Sequence, residues 1–226
     1  MKALFITGTD THVGKTNVTA ALVRHLREQG RSVCALKPIA TGGMPISEDT
    51  RMLAEVSHQS FEAVTRWTFP EPVAPSLATR LHGVKLTLKD LCAPIREVNC
   101  EWLLVEGVGG LLCPLTATET VADWIAELNM PMLVVARRSL GTLNHTLMTL
   151  EVAHRRGLDV YGLIVNETAP VLGLAEETNL HELRRWISVP MHGVLPYTPP
   201  EQGPPRLVPT AGWDWLEHCP HYSPLM

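Results

Sequence analysis

Short runs of apolar residues at 3–7, 33–37, 102–105, 132–136 and 160–165, with a weaker one at 192–195, are each bounded by turn residues. Stretches of helix length separate them. The runs are continuous where a half-exposed strand would alternate, which is the pattern of strands covered on both faces. Between them, helices are predicted over 16–29, closed by Gly30, and over 120–128, ahead of Pro131. Two more are predicted over 142–156, closed by Gly157, and over 175–187, ahead of Pro190. The alternation predicts an α/β fold: a single, doubly wound, mostly parallel sheet with right-handed crossovers and helices on both faces. The segment from Pro70 to Pro75 reads as an ordered loop, and the chain after Pro199 as an irregular wrap over the core. The expectation is one domain over 1–226, with 200–226 as its irregular C-terminal tail.

Composition narrows the class. At 226 residues the chain can bury a core without a disulfide or metal staple, and 45% hydrophobic with 19% charged residues is ordinary globular composition. A formal charge of −4 without a basic stripe argues against a nucleic-acid partner. Arg137-Arg138, Arg155-Arg156 and Arg184-Arg185 read as solvated helix ends. No apolar run reaches the roughly 18 residues of a membrane span, and Lys2 leads into a strand with no signal-peptide core. No membrane partner is expected. The five cysteines are odd in number and lack CxxC spacing, so they read as reduced, mostly buried hydrophobes of a cytoplasmic protein. His218-Cys219-Pro220-His221 is not read as a zinc site, because such sites draw paired ligands from two separated places.

The first strand, a loop through Thr9, Asp10, Thr11, His12, Val13 and Gly14, and a helix after Lys15-Thr16-Asn17 form the context of a phosphate-binding loop. Glycine lets backbone N–H groups turn inward around phosphate oxygens, lysine bridges the β and γ phosphates, and the Ser/Thr hydroxyl serves Mg²⁺. The following helix N-terminus adds partial positive charge. Counting back from Gly14, Thr9 stands where the usual first glycine belongs, and Gly8 is one residue early. Glu106 leaves a strand into Gly107-Val108-Gly109-Gly110, at the strand end where α/β folds bind ligands. Asp49 is either a second acid for Mg²⁺ or the N-cap of a helix over 50–56. Lys37 closes a strand, where it is either a snorkelling lysine or a cation for a developing phosphate or carbamate. Asn166 is either a turn residue or a reader of a purine edge.

Taken together, the residues resemble the dethiobiotin synthetase family. The matches are Gly8-Thr9-Asp10-Thr11 with Val13-Gly14-Lys15-Thr16, and Lys37-Pro38 with Ala40-Thr41-Gly42. They continue through Pro75, Val105-Glu106-Gly107 with Gly109-Gly110, and Ala122-Asp123-Trp124. The last are Leu140-Gly141-Thr142-Leu143-Asn144-His145, Val165-Asn166, and Gly193 with Leu195-Pro196. The resemblance implies that 7,8-diaminononanoate, CO₂ or bicarbonate, and ATP with Mg²⁺ give dethiobiotin through a carbamate and a carbamic phosphate, in biotin biosynthesis. It implies catalytic roles for Lys37, Lys15 and Thr11, and a metal set of Thr16, Asp49 and Glu106. ATP would meet His12, Val13, Gly14, Lys15, Thr16 and Asn17, then Asp49, Glu106, Gly107, Val108 and Gly109, with Asn166, Glu167, Pro196 and Tyr197 on the adenine side. Thr41 would meet the substrate's reacting end. A homodimer would carry the substrate's carboxylate tail to Gly141, Thr142, Leu143 and Asn144 of the neighbouring subunit. His12 stands where members often carry Glu or Gly, and Asn179 roughly where some carry a tyrosine near the tail. A histidine at 12 either approaches phosphate oxygens or points to solvent as a tolerated side chain on an exposed loop.

Two other readings compete. A cobyrinic-acid diamide synthase-like ligase needs a glutamine-hydrolysing domain for which 226 residues leave no room. A partitioning-type ATPase usually carries an extra lysine early in the phosphate loop, where this chain has Thr9-Asp10, and a basic patch or amphipathic tail.

Overall fold

The computed structural model describes residues 1–170, 173–205 and 213–222. In chain order the strands are β1 (Lys2–Gly8), β2 (Val33–Leu36), β3 (Ile39–Thr41), β4 (Trp67–Phe69), β5 (Trp102–Glu106), β6 (Met132–Arg137), β7 (Val160–Asn166) and β8 (Met191–Leu195). The helices are α1 (Lys15–Glu28), α2 (Glu48–Ser57), α3 (Phe61–Val64), α4 (Pro75–Leu81), α5 (Leu88–Arg96), α6 (Val121–Leu128), α7 (Thr142–Arg155) and α8 (Leu174–Trp186).

Six strands form one sheet in the order β2-β5-β1-β6-β7-β8, with every pairing parallel. Each continuous apolar run became a strand because both of its faces are covered. Leu4 and Ile6 join one apolar cluster with α1, while Ala3 and Phe5 join a second with Trp124 and Ile125 of α6. Phe5 and Trp124 meet edge to face at 5.0 Å between ring centroids. Gly30 and Gly157 close α1 and α7 at φ 77° and 65°, the left-handed conformation that lets the backbone reverse.

The expected mostly parallel central sheet is present, and beside it the structure adds a small two-stranded sheet of β3 and β4. These strands span three residues each, too short for any periodicity to show. Helix α5 has the start signal of a capping box, Thr87 with Asp90, and carries Pro94 inside it. In the tail, Trp213–His218 forms a 3₁₀ turn. Trp213, Leu216 and Cys219 join the α1-side cluster, and the Tyr222 hydroxyl donates to the Leu128 carbonyl at 2.9 Å. The parts of the expected tail at 206–212 and 223–226 lie outside the described residues.

Two smaller expectations are corrected. Only Cys92 and Cys219 are buried; Cys34, Cys100 and Cys113 are half-buried. Arg137-Arg138 sits at the end of a strand, not of a helix, and Arg138 is held by Glu167 at 2.5 Å. Among the described residues, no helix is long and apolar enough to cross a membrane.

Candidate active site

The order of the sheet brings the C-terminal ends of β2, β5 and β1 side by side, and with them the phosphate-type loop between β1 and α1. Gly8 performs the role that counting assigned to position 9. A Cβ there would lie 2.8 Å from Val13 Cγ2 and 2.9 Å from the Asp10 carbonyl, so only glycine lets the loop fold over its own start. Gly14 is left-handed at φ 87°, and a Cβ on it would lie 2.0 Å from the Asn166 amide nitrogen. Inside the loop, Asp10 accepts from the Thr11 backbone N–H at 2.7 Å. Lys15 spans the loop mouth, donating to the carbonyls of Gly109 at 2.7 Å and Asp10 at 3.1 Å. Burial, helped by the charge of Lys37, lowers its pKa to about 8 against the pull of Glu106 and Asp49.

Glu106 closes β5, where the pairing Ile6↔Glu106 sets it beside the loop. It is 1% exposed. Its Oε1 accepts from the Thr16 hydroxyl at 2.7 Å and from the Lys37 ammonium at 2.7 Å. Its Oε2 is buried with no protein partner. Lys37 directly follows β2, is itself buried, and also donates to Asp49 Oδ2 at 2.5 Å. Burial alone would lower the Lys37 pKa, but the two carboxylates outweigh it and hold the ammonium above the ordinary lysine range. Asp49 runs the other way: its partial burial would raise its pKa, and the charge and hydrogen bond of Lys37 keep it below the ordinary carboxylate value.

Asp49 is not the cap of its helix. The N-cap of α2 is Ser47, whose hydroxyl accepts from the Thr50 N–H at 3.1 Å, leaving the Asp49 carboxylate in the first turn free to face Lys37. The snorkelling alternative for Lys37 fails too, since its charged end points inward to two carboxylates.

These groups line a cleft of about 360 Å³, together with Thr11, His12, Asn17, Thr41, Val108 and Gly109. The cleft also takes in Thr168, which sequence reasoning missed; its only signal is that it follows Asn166 and Glu167 out of β7. Val13 is fully buried, and the Gly107 N–H donates to the Ile6 carbonyl at 3.0 Å, so these two shape the cleft from behind.

The expected adenine-side residues are tied to the protein. Asn166 is 1% exposed and its amide donates to the Val13 carbonyl at 3.0 Å, bracing the loop. Glu167 pairs with Arg138 at 2.5 Å and accepts from the Tyr197 backbone N–H at 3.3 Å. Pro196 and Tyr197 follow β8 directly.

Gly141, Thr142, Leu143 and Asn144 do not line this cleft within one chain. They form the start of α7, where Gly141 is left-handed at φ 90° and no side chain caps the helix. Thr142 is 1% exposed, with its hydroxyl unpartnered. Asn179 is buried and donates to the Ser139 carbonyl at 3.0 Å, fixing the turn that precedes α7. No group of three or more His, Cys, Asp and Glu among the described residues could hold a metal on protein ligands alone. A cation here would draw on two carboxylates and a hydroxyl, and complete its shell from elsewhere.

Residues 2–204 match a family model described as an AAA domain. The chain is 42% identical over 204 residues to an ATP-dependent dethiobiotin synthetase of Anaeromyxobacter dehalogenans, covering 88% of this chain and 92% of that one. A protein of the same description from Bacillus licheniformis is 38% identical over 202 residues, covering 87% and 86%. Among solved structures, a ParA family ATPase from Chlorobium tepidum aligns with TM-score 0.58 and 13% identity over 96% of this chain and 99% of that one. The MinD cell division protein of Aquifex aeolicus aligns with TM-score 0.56 and 12% identity over 96% of each. At such identities the likeness is one of fold.

Proposed function

The chain belongs to the ATP-dependent dethiobiotin synthetase family, and from that premise we propose that it is a biotin-biosynthetic ligase closing the ureido ring of dethiobiotin from 7,8-diaminononanoate, CO₂ and ATP. The observation that carries this reading is the buried set Lys37, Glu106 and Thr16, with Asp49 at its rim, gathered beside the phosphate-type loop.

One amine of the substrate captures CO₂ as a carbamate. The γ-phosphoryl of ATP passes to a carbamate oxygen, which turns that oxygen into a leaving group. The second amine then attacks the carbamate carbon, the ring closes, and phosphate departs with its C–O bond electrons. No covalent nucleophile is required, so the protein's work is positioning and charge neutralisation. Lys37 and Lys15 would bear on the γ-phosphate and carbamate oxygens, where preorganised donors lower the barrier most. Phosphate oxygens beside Lys15 favour its charged form, countering the effect of burial. Thr11 and Thr41 would contact the reacting end of the substrate. Backbone N–H groups from His12 to Asn17 would cradle the phosphates, with Gly107, Val108 and Gly109 forming the opposite wall. Asn166, Glu167, Pro196 and Tyr197 would border the adenine.

The residues present fit Mg²⁺. Glu106 Oε2 is a buried carboxylate oxygen with no protein partner, and Thr16 and Asp49 add hard oxygen donors alongside it. Held by Glu106, Thr16 and Asp49, the ion would supply charge neutralisation for the phosphates.

The proposal extends to a single-domain cytoplasmic enzyme acting as a homodimer. The substrate's carboxylate would rest on the start of α7 in the partner subunit, where N–H groups are uncapped. The test is a mass-detected turnover assay. ADP and dethiobiotin formation should require both diaminononanoate and bicarbonate. ATP hydrolysis that ignores both and responds to DNA or lipid vesicles overturns the reading.

A further inference from the structure

Arg138 does not itself line the nucleotide cleft, yet it ties together the exits of three neighbouring strands, β6, β7 and β8. It follows the end of β6, which pairs with β7 in the register Arg137↔Asn166. Its backbone N–H donates to the Asn166 carbonyl at 2.9 Å, and its Nη1 donates to Glu167 Oε1 at 2.5 Å. Glu167 Oε2 accepts from the Tyr197 backbone N–H at 3.3 Å, just beyond β8, and the Glu167 N–H donates to the Leu195 carbonyl at 2.9 Å. Arg138 Nε donates to the Glu176 carbonyl in the first turn of α8, at 2.7 Å. The same helix is tied back a second time, by Asn179 to the Ser139 carbonyl at 3.0 Å. The side chains of Arg138 and Glu167 are only 16% and 15% exposed, so solvent screens the pair little.

Glu167 stands between two residues that meet the site. Asn166 braces the phosphate loop at the Val13 carbonyl, and Thr168 lines the cleft. Whatever fixes Glu167 therefore fixes the course of the chain as it leaves β7.

We propose that Arg138 is a positioning residue for the nucleotide: acting through Glu167, it holds Asn166, Thr168 and Tyr197 as a preformed wall for the base. The inference rests on the reading of this cleft as an ATP site, and it is independent of the reaction that ATP serves. A guanidinium suits the task because its planar fork reaches a carboxylate and a carbonyl at once, which a single ammonium nitrogen does not do in the same geometry. A wall ordered before the ligand arrives spares binding the cost of ordering it. The effect belongs to ATP affinity, because Lys37, Glu106 and Thr16 take their places from β2, β5 and α1 instead.

The test titrates a non-hydrolysable ATP analogue into the full chain by calorimetry, with steady-state kinetics alongside. Arg138→Met should weaken analogue binding and raise the KM for ATP by about tenfold, within the coupling seen for residues of one shared network. The kcat at saturating ATP and the KM for diaminononanoate should stay within about twofold, as expected when only binding of one ligand is lost. Combining Arg138→Met with Glu167→Gln should bind the analogue no more weakly than the worse single variant, since both break one link. Arg138→Lys keeps a cation against Glu167 and should recover part of the loss; it carries the test should Arg138→Met not fold. Wild-type affinity in either folded variant overturns the proposal. Additive losses in the double variant overturn the route through Glu167. A parallel rise in both KM values overturns it too, because that marks a general loosening of the fold. A wild type that binds the analogue and makes no dethiobiotin refutes the synthetase reading alone, whereas one that does not bind the analogue overturns both.

Discussion

The Lys37 ammonium lies 2.7 Å from Glu106 Oε1, and both side chains are buried where adjacent parallel strands end. Neither charge has water to fall back on: Lys37 relies on Glu106 and Asp49, and Glu106 on Lys37 as its paired cation. Removing one partner of a buried pair leaves an uncompensated charge, at a cost of about 3–5 kcal/mol. Lys37→Ala is therefore expected to lower the melting temperature as well as turnover. Measured well below that melting temperature, turnover should still fall by about 10²–10³, the typical worth of one preorganised donor to developing charge. Near-normal turnover in folded Lys37→Ala protein removes the role proposed for it.

Asp49 and Ser47 separate metal function from helix capping. Ser47 caps α2, so Ser47→Ala should cost about 0.5–2 kcal/mol of stability and leave the Mg²⁺ dependence of turnover unmoved. Asp49→Asn should shift the Mg²⁺ titration to higher concentration. If instead Asp49→Asn destabilises the fold and leaves the titration alone, Asp49 is not a metal ligand.

The contrast between these two residues shows where the sequence was legible. Strand positions were readable because burial on both faces leaves a continuous apolar run; the run at 102–105 became β5 with one residue added, Glu106. The side sheet of β3 and β4 was not readable, because three-residue strands carry no period and these pair in parallel across a connection that holds α2 and α3. At the site, the residues that end strands stood out, since a polar group closing an apolar run is conspicuous. Which group each one faces was not legible. Ser47 looked no more like a cap than Asp49 did, and the bond from Asn166 to Val13 joins positions 153 apart in sequence. Such pairings are decided by strand order, which local pattern does not encode.

Acid stability should carry the mark of a capping box. Asp123 accepts from the Thr120 backbone N–H at 2.7 Å, and Arg156 is 2.8 Å from its other oxygen. Although its burial alone would raise the pKa, these bonds hold it below the ordinary 3.8. A carboxyl depressed on folding contributes stability that is present above its unfolded pKa and is lost as pH falls through the folded value. Urea melts of wild type and Asp123→Asn should therefore differ at pH 7 and converge as pH falls through and below the ordinary carboxylate range. A difference independent of pH assigns the effect to packing.

Gly14→Ala tests how tightly the loop is built. The new methyl would collide with the Asn166 amide at 2.0 Å and sit at φ 87°. Loss of ATP binding with a retained circular dichroism spectrum is the expected outcome. Asn166→Ala in the same background makes room for the methyl and should restore part of the binding. No recovery in the double variant means that backbone strain at position 14 dominates over the collision.

His12 lies within the phosphate-type loop, and its backbone is in the left-handed region at φ 57°. A non-glycine residue there carries about 1–2 kcal/mol of strain. Glycine relieves that strain but loses about 0.5–1 kcal/mol to unfolded-state entropy, so His12→Gly should move the melting temperature little. Ligand affinity is then a clean readout. The side chain lines the cleft alongside Lys15 and Thr11. If the imidazole donates to a phosphate oxygen, His12→Gly weakens ATP binding while ADP binding changes less, because the added charge sits on the γ-phosphate. Equal dissociation constants for ATP in the two proteins make His12 a solvent-facing passenger on the loop.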